Sequence, residues 1–178
     1  MKKEIGIRQF LGFAVTALGG TILHFLYDWL GESPLVAPFS GVNESTWEHM
    51  KLLFWPMLIY AAAEYFFFRD RKDFWCVKLR GILLGLFAIP VLFYTYNGAV
   101  GKSPDWLNIT IFFVSVAIAY LYETKLFKEN KLSCKKPNRA VAILVLIALL
   151  FVVFTFFPPE IGLFKDPLTG AFGNRVGD

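Results

Sequence analysis

Cysteine and histidine are scarce in this chain, which contains two residues of each among its 178. Neither Cys76 nor Cys134 lies in a CxxC pattern, and no disulfide framework follows from them, so we expect two reduced thiols. The chain also lacks a glycine-rich phosphate loop and an interleaved basic and aromatic patch. These absences argue against nucleic acid as a partner, although the net charge is +4.

Apolar residues are abundant, at 56% of the chain with a mean hydropathy of +0.53. Soluble domains usually contain about 45–50% apolar residues. The excess falls in five long runs, which predict transmembrane helices. The predicted fold is all-α, a polytopic helix bundle forming a single membrane domain over residues 1–178. The expected spans are 9–30, 46–68, 77–96, 106–127 and 140–157, followed by a tail over 158–178.

Basic residues are distributed unevenly between the loops. Fourteen of the eighteen Lys and Arg residues lie at the N-terminus and in the second and fourth loops. Cytoplasmic loops of membrane proteins are enriched in Lys and Arg, so this bias predicts a cytoplasmic N-terminus and an outer C-terminus. Both cysteines then lie on the reducing side. The predicted location is the cell (cytoplasmic) membrane, with multiple passes.

Five ionisable side chains are expected to meet near the outer surface. His24 lies about 9 Å below the end of the first span at 1.5 Å per residue, and Asp28 follows one turn later on the same helix face. The second span begins beside Glu44, Glu48 and His49, which therefore lie at a similar depth. Ionisable groups inside a membrane are costly and usually functional.

Two functional interpretations of this group remain open. In the first, His24 and His49 bind a divalent metal ion such as zinc, with Glu44 or Asp28 as the third ligand. No metal-binding sequence signature supports this choice. In the second, the group forms a proton-linked or polar-ligand site without metal, in which His24 and Asp28 relay protons.

A structural interpretation explains part of the same segment. Ser45 and Glu48 have the spacing of a capping box, in which Ser45 caps the helix and Glu48 returns to the Ser45 amide. Trp47 would then anchor the helix at the membrane interface, and Lys51 would extend to the headgroups. This interpretation does not explain the two histidines.

Further residues are expected around the site. Asp28, Asn43, Trp47 and Tyr94 are candidate ligand-binding residues, although Tyr94 also suits an interfacial aromatic belt. The tail is expected to fold back as a lid over the outer mouth.

Other positions predict packing within the bundle. Gly19 and Gly20 would let another helix approach closely. Pro56 and Pro90 should bend or unwind their helices, leaving the Leu52 carbonyl free to line the cavity. Glu64 is interpreted as half of an ion pair with Arg80, or as a neighbour of Tyr120 and Glu123.

The segments from His24 to Gly31 and from Val42 to Pro56, with the run NES-x-WEH-x-K, carry a resemblance that covers nearly the whole chain. They resemble an uncharacterised family of small bacterial membrane proteins, classed as a domain of unknown function. The ending from Pro158 to Gly170 is similar to that family's ending. The resemblance implies a five-helix bacterial membrane protein and supplies no activity.

The leading hypothesis is a membrane protein whose outer-leaflet site binds a metal ion or polar ligand. Its enzymatic form would be a metal-dependent hydrolase acting on a lipid or peptide, with Glu48 or Glu44 as catalytic carboxylate. The alternatives are a small proton-coupled transporter, channel or sensor, and an accessory subunit without chemistry. The expected partners are the lipid bilayer and a lipid or small polar ligand.

Overall fold

The computed structural model describes residues 2–101 and 104–173, most of which form helices. The helices are α1 Lys2–Trp29, α2 Thr46–Tyr65, α3 Phe74–Val100, α4 Asp105–Glu129 and α5 Pro137–Phe156. A 3-10 turn at Gly162–Phe164 and an isolated antiparallel bridge between Lys165 and Phe172 shape the tail. The predicted all-helical class is confirmed for the described residues.

Most helices begin earlier than the predicted spans. α1 begins at Lys2 instead of residue 9, and α3 and α5 each begin three residues early. Hydropathy marks only the apolar part of a helix, whereas backbone hydrogen bonding continues into polar flanking turns. α2 ends at Tyr65, three residues before the predicted end.

Four of the five helices in the described residues are long and apolar enough to cross a membrane: α1, α3, α4 and α5. α2 differs because its first two turns contain Glu48, His49 and Lys51. The sequence predicts five apolar spans, and four of the described helices have the length and apolar composition that a span requires.

α2 is nevertheless the central helix of the bundle. It packs against α1, α3 and α4, and the tail turn lies on its first turns. Its side chains Leu53, Phe54 and Ala61 are fully buried. α5 lies at the periphery and has the highest mean hydropathy, 2.8. Because the polar side of α2 is covered by protein, its polar side chains find partners in neighbouring helices and loops.

α1 and α2 cross closely at glycine, as the sequence predicted. A methyl group at Gly20 would lie 2.8 Å from the Leu52 carbonyl oxygen, and one at Gly19 would lie 3.1 Å from the Pro56 ring. Both prolines lie inside continuous helices, so neither α2 nor α3 unwinds there. Pro56 leaves the Leu52 carbonyl without its usual amide donor, but that carbonyl faces α1 instead of lining a cavity.

The two cysteines are joined. Cys76 in α3 and Cys134 in the loop after α4 form a disulfide, with Cα atoms 6.1 Å apart. The expectation of two reduced thiols is therefore wrong. Residues separated by 58 positions give no sign of proximity in sequence, whereas packing brings the start of α3 and the loop after α4 to one end of the bundle. There the Arg71 guanidinium donates to the Phe127 carbonyl at 3.0 Å and to the Asn130 side chain at 2.8 Å.

Candidate metal centre

The chain between α1 and α2 folds back along the last turns of α1. The Ser40 hydroxyl donates to the Leu23 carbonyl and accepts from the Tyr27 amide at 2.9 Å. An uninterrupted helix would join those two backbone groups directly, so the hydroxyl inserts into the α1 ladder beside His24. The Gly41 amide also donates to the Leu23 carbonyl at 3.3 Å. These bonds return the chain to the depth of His24.

Side chains of α2 hold the same loop from the other side. The Lys51 ammonium donates to the Ala37 carbonyl at 2.8 Å, and the Trp55 indole donates to the Pro38 carbonyl at 2.9 Å. Ala37, Pro38 and Ser40 are buried, although they belong to a loop. The loop is therefore a packed part of the bundle, and its backbone groups are satisfied as burial requires.

The start of α2 is capped, but differently from the prediction. The Ser45 hydroxyl accepts a long hydrogen bond of 3.4 Å from the Glu48 amide. The Ser45 amide donates to the Asn43 side chain at 2.8 Å instead of to Glu48. The Glu48 carboxylate accepts from the Val42 amide at 3.0 Å. The reciprocal half of the capping box is wrong because Asn43 reaches the Ser45 amide first, through an Asx turn.

Three of the predicted site residues come together at this end. The Nε2 atom of His24 lies 3.7 Å from Oε1 of Glu44, and Nε2 of His49 lies 3.6 Å from Oε2 of the same carboxylate. The two imidazole rings meet edge to face, with centroids 5.7 Å apart. One ligand atom from each residue lies within 4.8 Å of the others. We call these three residues the His–Glu cluster.

The His49 ring is oriented by its backbone. Its Nδ1 atom lies 3.0 Å from the Ser45 carbonyl oxygen, which can only accept a hydrogen bond, so Nδ1 carries the proton and donates. The neutral ring then carries its free lone pair on Nε2, which is the atom facing Glu44. A backbone acceptor on the second nitrogen is the usual arrangement for a metal-binding histidine.

A narrow cleft adjoins the cluster. Glu44, His49 and Thr46 form one wall, and apolar side chains of α3 and α4 form the other with Asn108. The residues of this second wall are Ile89, Phe93, Asn108, Ile111 and Phe112. The cleft has room for about one water-sized molecule. It suits an ion and its water better than a bulky ligand.

Two predicted site residues lie apart from the cluster. Asp28 is exposed, whereas His24 one turn earlier is half-buried and its ring contacts that of His49. Glu44, the other candidate for third ligand, is the carboxylate that lies next to both histidines. Tyr94 is 44% exposed, whereas its neighbour Phe93 lines the cleft. A helix advances about 100° per residue, so these two neighbours point in different directions, and ligand binding by Tyr94 stays a prediction.

Glu48 belongs to a different, buried arrangement. Its Oε2 lies 2.6 Å from the Lys51 ammonium, which also donates to the Thr155 hydroxyl at 2.9 Å. Lys51 is completely buried, so the prediction that it extends to the headgroups is wrong. Thr155 in α5 and the Ala37 carbonyl supply the acceptors that make this burial possible. These contacts hold Glu48 in a buried ion pair, and its catalytic role stays a prediction.

Trp47 and Asn43 hold the tail. The Trp47 ring packs against Phe151 and Phe164, with centroids 4.6 Å away in each case. The Asn43 side-chain amide donates to the Gly173 carbonyl at 2.8 Å. The tail therefore folds back, as predicted, but it lies on the Trp47 side of α2 and does not line the cleft. Its part beyond residue 173 lies outside the described residues.

The sequence interpretation missed the parts of the site contributed by distant chain segments. Ser40 and the Ser45 carbonyl position the cluster, while Phe93 and Asn108 line the cleft. Only Ser40 has a local signal, since serine in a loop next to a helix end often bonds the backbone. The others depend on which helix faces meet.

Comparison with known proteins places this architecture in a family. Residues 4–174 match DUF6512, which is described as a family of unknown function. No curated protein and no solved structure matches the chain. The match covers the His–Glu cluster, the NES-x-WEH-x-K run and the tail turn. It agrees with the resemblance to an uncharacterised family, and the chain belongs to DUF6512, a family of unknown function.

Proposed function

We propose that this protein spans the membrane five times and binds a divalent metal ion, Zn²⁺ first, through His24, Glu44 and His49 at its outer end. The main support is that three potential ligand atoms lie within 4.8 Å of one another. Two imidazoles and one carboxylate are a common ligand set for Zn²⁺ and also suit Mn²⁺ or Fe²⁺.

The distances leave room for an ion and require the side chains to move toward it. Ligands held about 2.0–2.1 Å from a tetrahedral ion lie roughly 3.3 Å from each other. The carboxylate oxygens of Glu44 are 3.6 and 3.7 Å from the two histidine nitrogens. These are two different oxygens of Glu44, and with one ligand atom from each residue the separations are within 4.8 Å. Closing the site around an ion would therefore take side-chain movements of up to about 1.5 Å. The adjoining cleft offers a place for a water as fourth ligand.

Metal binding has more direct support than hydrolysis. A hydrolase would use the ion to activate its bound water and would need space for substrate and a general base. The cleft is narrow, and Glu48 is held by Lys51 and the Val42 amide. A reaction on a lipid or peptide would require both features to change, so catalysis by Glu44 or Glu48 stays a prediction.

The five-span arrangement rests on length and surroundings. α2 has 20 residues, about 30 Å at 1.5 Å per residue, which matches the hydrocarbon core. Its polar first turns are paired within the protein. Lys51 and Lys78 are buried in helices, and the bias of the other basic residues still favours a cytoplasmic N-terminus.

The test is metal content and affinity of purified protein. Wild-type protein stripped with a chelator should bind one Zn²⁺ per chain, measured by elemental analysis and by competition with a chromophoric indicator. His24→Ala, His49→Ala and Glu44→Gln should each weaken binding by more than about 100-fold, because loss of even an outer partner usually costs 10–100-fold.

Asp28→Asn is the matched control, since Asp28 is a polar residue of the same end that lies outside the cluster. It should bind Zn²⁺ like the wild type. Equal binding by wild type and His49→Ala, with both variants eluting as folded protein, would contradict the proposal. Loss of binding in Asp28→Asn would show that the metal site includes ligands outside the His–Glu cluster.

A further inference from the structure

A second polar cluster lies in the interior at the opposite end of the bundle. The Lys78 ammonium of α3 is 2.5 Å from Glu64 of α2 and 2.6 Å from Glu123 of α4. The Gln9 side chain of α1 donates to Glu64 at 2.9 Å. All four side chains are at most 2% exposed. The predicted partner Arg80 is wrong, because Arg80 is exposed and Lys78 takes its place.

The surroundings supply little further charge. The rings of Tyr60, Phe74, Tyr120 and Phe127 face the ammonium, with centroids 5.5–5.8 Å away. Tyr60 donates to the Arg8 carbonyl at 2.6 Å, and Tyr120 bonds the Thr16 hydroxyl at 2.8 Å.

Arg8 adjoins Gln9 in the chain, but its guanidinium is directed away from the cluster. The guanidinium of Arg8 stacks on Phe67 at 3.8 Å, away from the two carboxylates. Lys78 is therefore the cation that contacts them within the described residues.

The charges in this cluster do not balance. Two ionised carboxylates share one ammonium, which leaves one net negative charge away from water. Burying an uncompensated carboxylate is strongly unfavourable, and carboxylates that share a site usually retain one proton between them. Oε1 of Glu123 is also buried without a hydrogen-bond partner among the described groups. Neutrality thus requires either one proton or a second cation.

Packing favours the proton. The Glu123 carboxylate lies directly against Gly81 of α3, where an added methyl group would collide with both its Oε1 and its Cγ. A metal cation needs several oxygen ligands around it. A proton needs no such space.

We propose that the Glu64–Lys78–Glu123 cluster is a proton-binding site, in which the two carboxyl groups share one proton. Its charge alternates between zero and minus one as the proton binds and leaves. A cleft lined by Arg8, Phe67, Asp70 and Arg71 brings solvent to this end of the bundle. The site is separate from the His–Glu cluster and does not depend on metal binding there.

Infrared difference spectroscopy tests this assignment, because a protonated carboxylic acid has a carbonyl stretching band that an ionised carboxylate lacks. Wild-type protein at neutral pH should show this band, shifted in D₂O. Glu123→Gln and Glu64→Gln should each lose it, since the remaining carboxylate and Lys78 balance each other. Glu129→Gln is the control in the same helix as Glu123, at an exposed position, and should keep the band.

Three results would overturn the proposal. The band is absent from the wild type at neutral pH, or it persists in both Glu64→Gln and Glu123→Gln. Alternatively, sodium chloride removes the band while potassium chloride at equal concentration does not, which would assign a metal cation to the cluster. The wild-type measurements keep the test decisive if a variant fails to fold.

Discussion

Buried charge at single positions is the feature of this protein that sequence hydropathy describes least well. Lys51 stands in an apolar helix near an end, where lysine usually extends to the headgroups. Here its ammonium has three partners, which are Glu48, the Ala37 carbonyl and Thr155. The acceptors come from a loop and from a helix more than 100 residues later, so no local pattern announces them.

Replacing Lys51 tests whether this pairing stabilises the fold. Lys51→Met should lower the thermal unfolding temperature in detergent, because it leaves the Glu48 carboxylate buried and unpaired at a cost of about 3–5 kcal/mol. The double variant Glu48→Gln with Lys51→Met should recover much of the loss, since it removes the charge as well. Lys135→Met, at an exposed loop position, serves as the control. A double variant no more stable than Lys51→Met would contradict this account.

Among helices, the α1–α2 contact is decided by small residues. Gly12, Thr16 and Gly20 are buried and recur every four residues along one face of α1. Such stripes allow close helix approach in membranes. At Gly20 the neighbours are the Phe112 ring and the Leu52 carbonyl that Pro56 leaves without its usual donor. Close approach at this crossing places His24 beside the start of α2.

Gly20→Ala should therefore destabilise the protein by about 1–3 kcal/mol, the usual cost of overpacking. Thermal unfolding in detergent measures the effect, and zinc affinity should fall with it because α1 carries His24. Gly98→Ala is the matched control: Gly98 lies in α3, with no atom within 4 Å of an added methyl group. That change should leave stability equal or raise it by up to about 1 kcal/mol. Equal stability of the two variants would refute close packing at Gly20.

The helices and the His–Glu cluster were within reach of the sequence for separate reasons. Apolar runs give the helices directly, and depth counting along two connected helices puts His24 level with Glu44 and His49. The direction in which each side chain points does not follow from the sequence, so the sequence names Asp28 and Tyr94, whereas Phe93 is the residue that lines the cleft. Counting residues gives the depth of a side chain along the helix axis. The direction in which it points also depends on how the helix is rotated about that axis. That rotation is set by packing against helices far away in sequence.

Across the whole molecule, the two ends of the bundle differ in chemistry. The loops after α2 and α4 meet at one end, through Arg71 and the Cys76–Cys134 disulfide. The tail joins the His–Glu end, through Asn43 and Gly173. The basic residues predict that the disulfide end is cytoplasmic, whereas disulfides usually persist on the oxidising side of a membrane. The two signals oppose each other, and a labelling experiment separates them.

Two single cysteines in a Cys76→Ser, Cys134→Ser background make that separation. Glu160→Cys reports the tail end and Lys135→Cys reports the disulfide end, and both positions are exposed. In intact cells, a membrane-impermeant maleimide should label Glu160→Cys at once and Lys135→Cys only after the cells are broken, because Lys and Arg in short loops set orientation more strongly than other charges. The reverse pattern would place the disulfide outside and the His–Glu cluster at the cytoplasmic face. Immediate labelling of both positions would contradict the crossing by α5, because Lys135 and Glu160 lie directly before and after that helix.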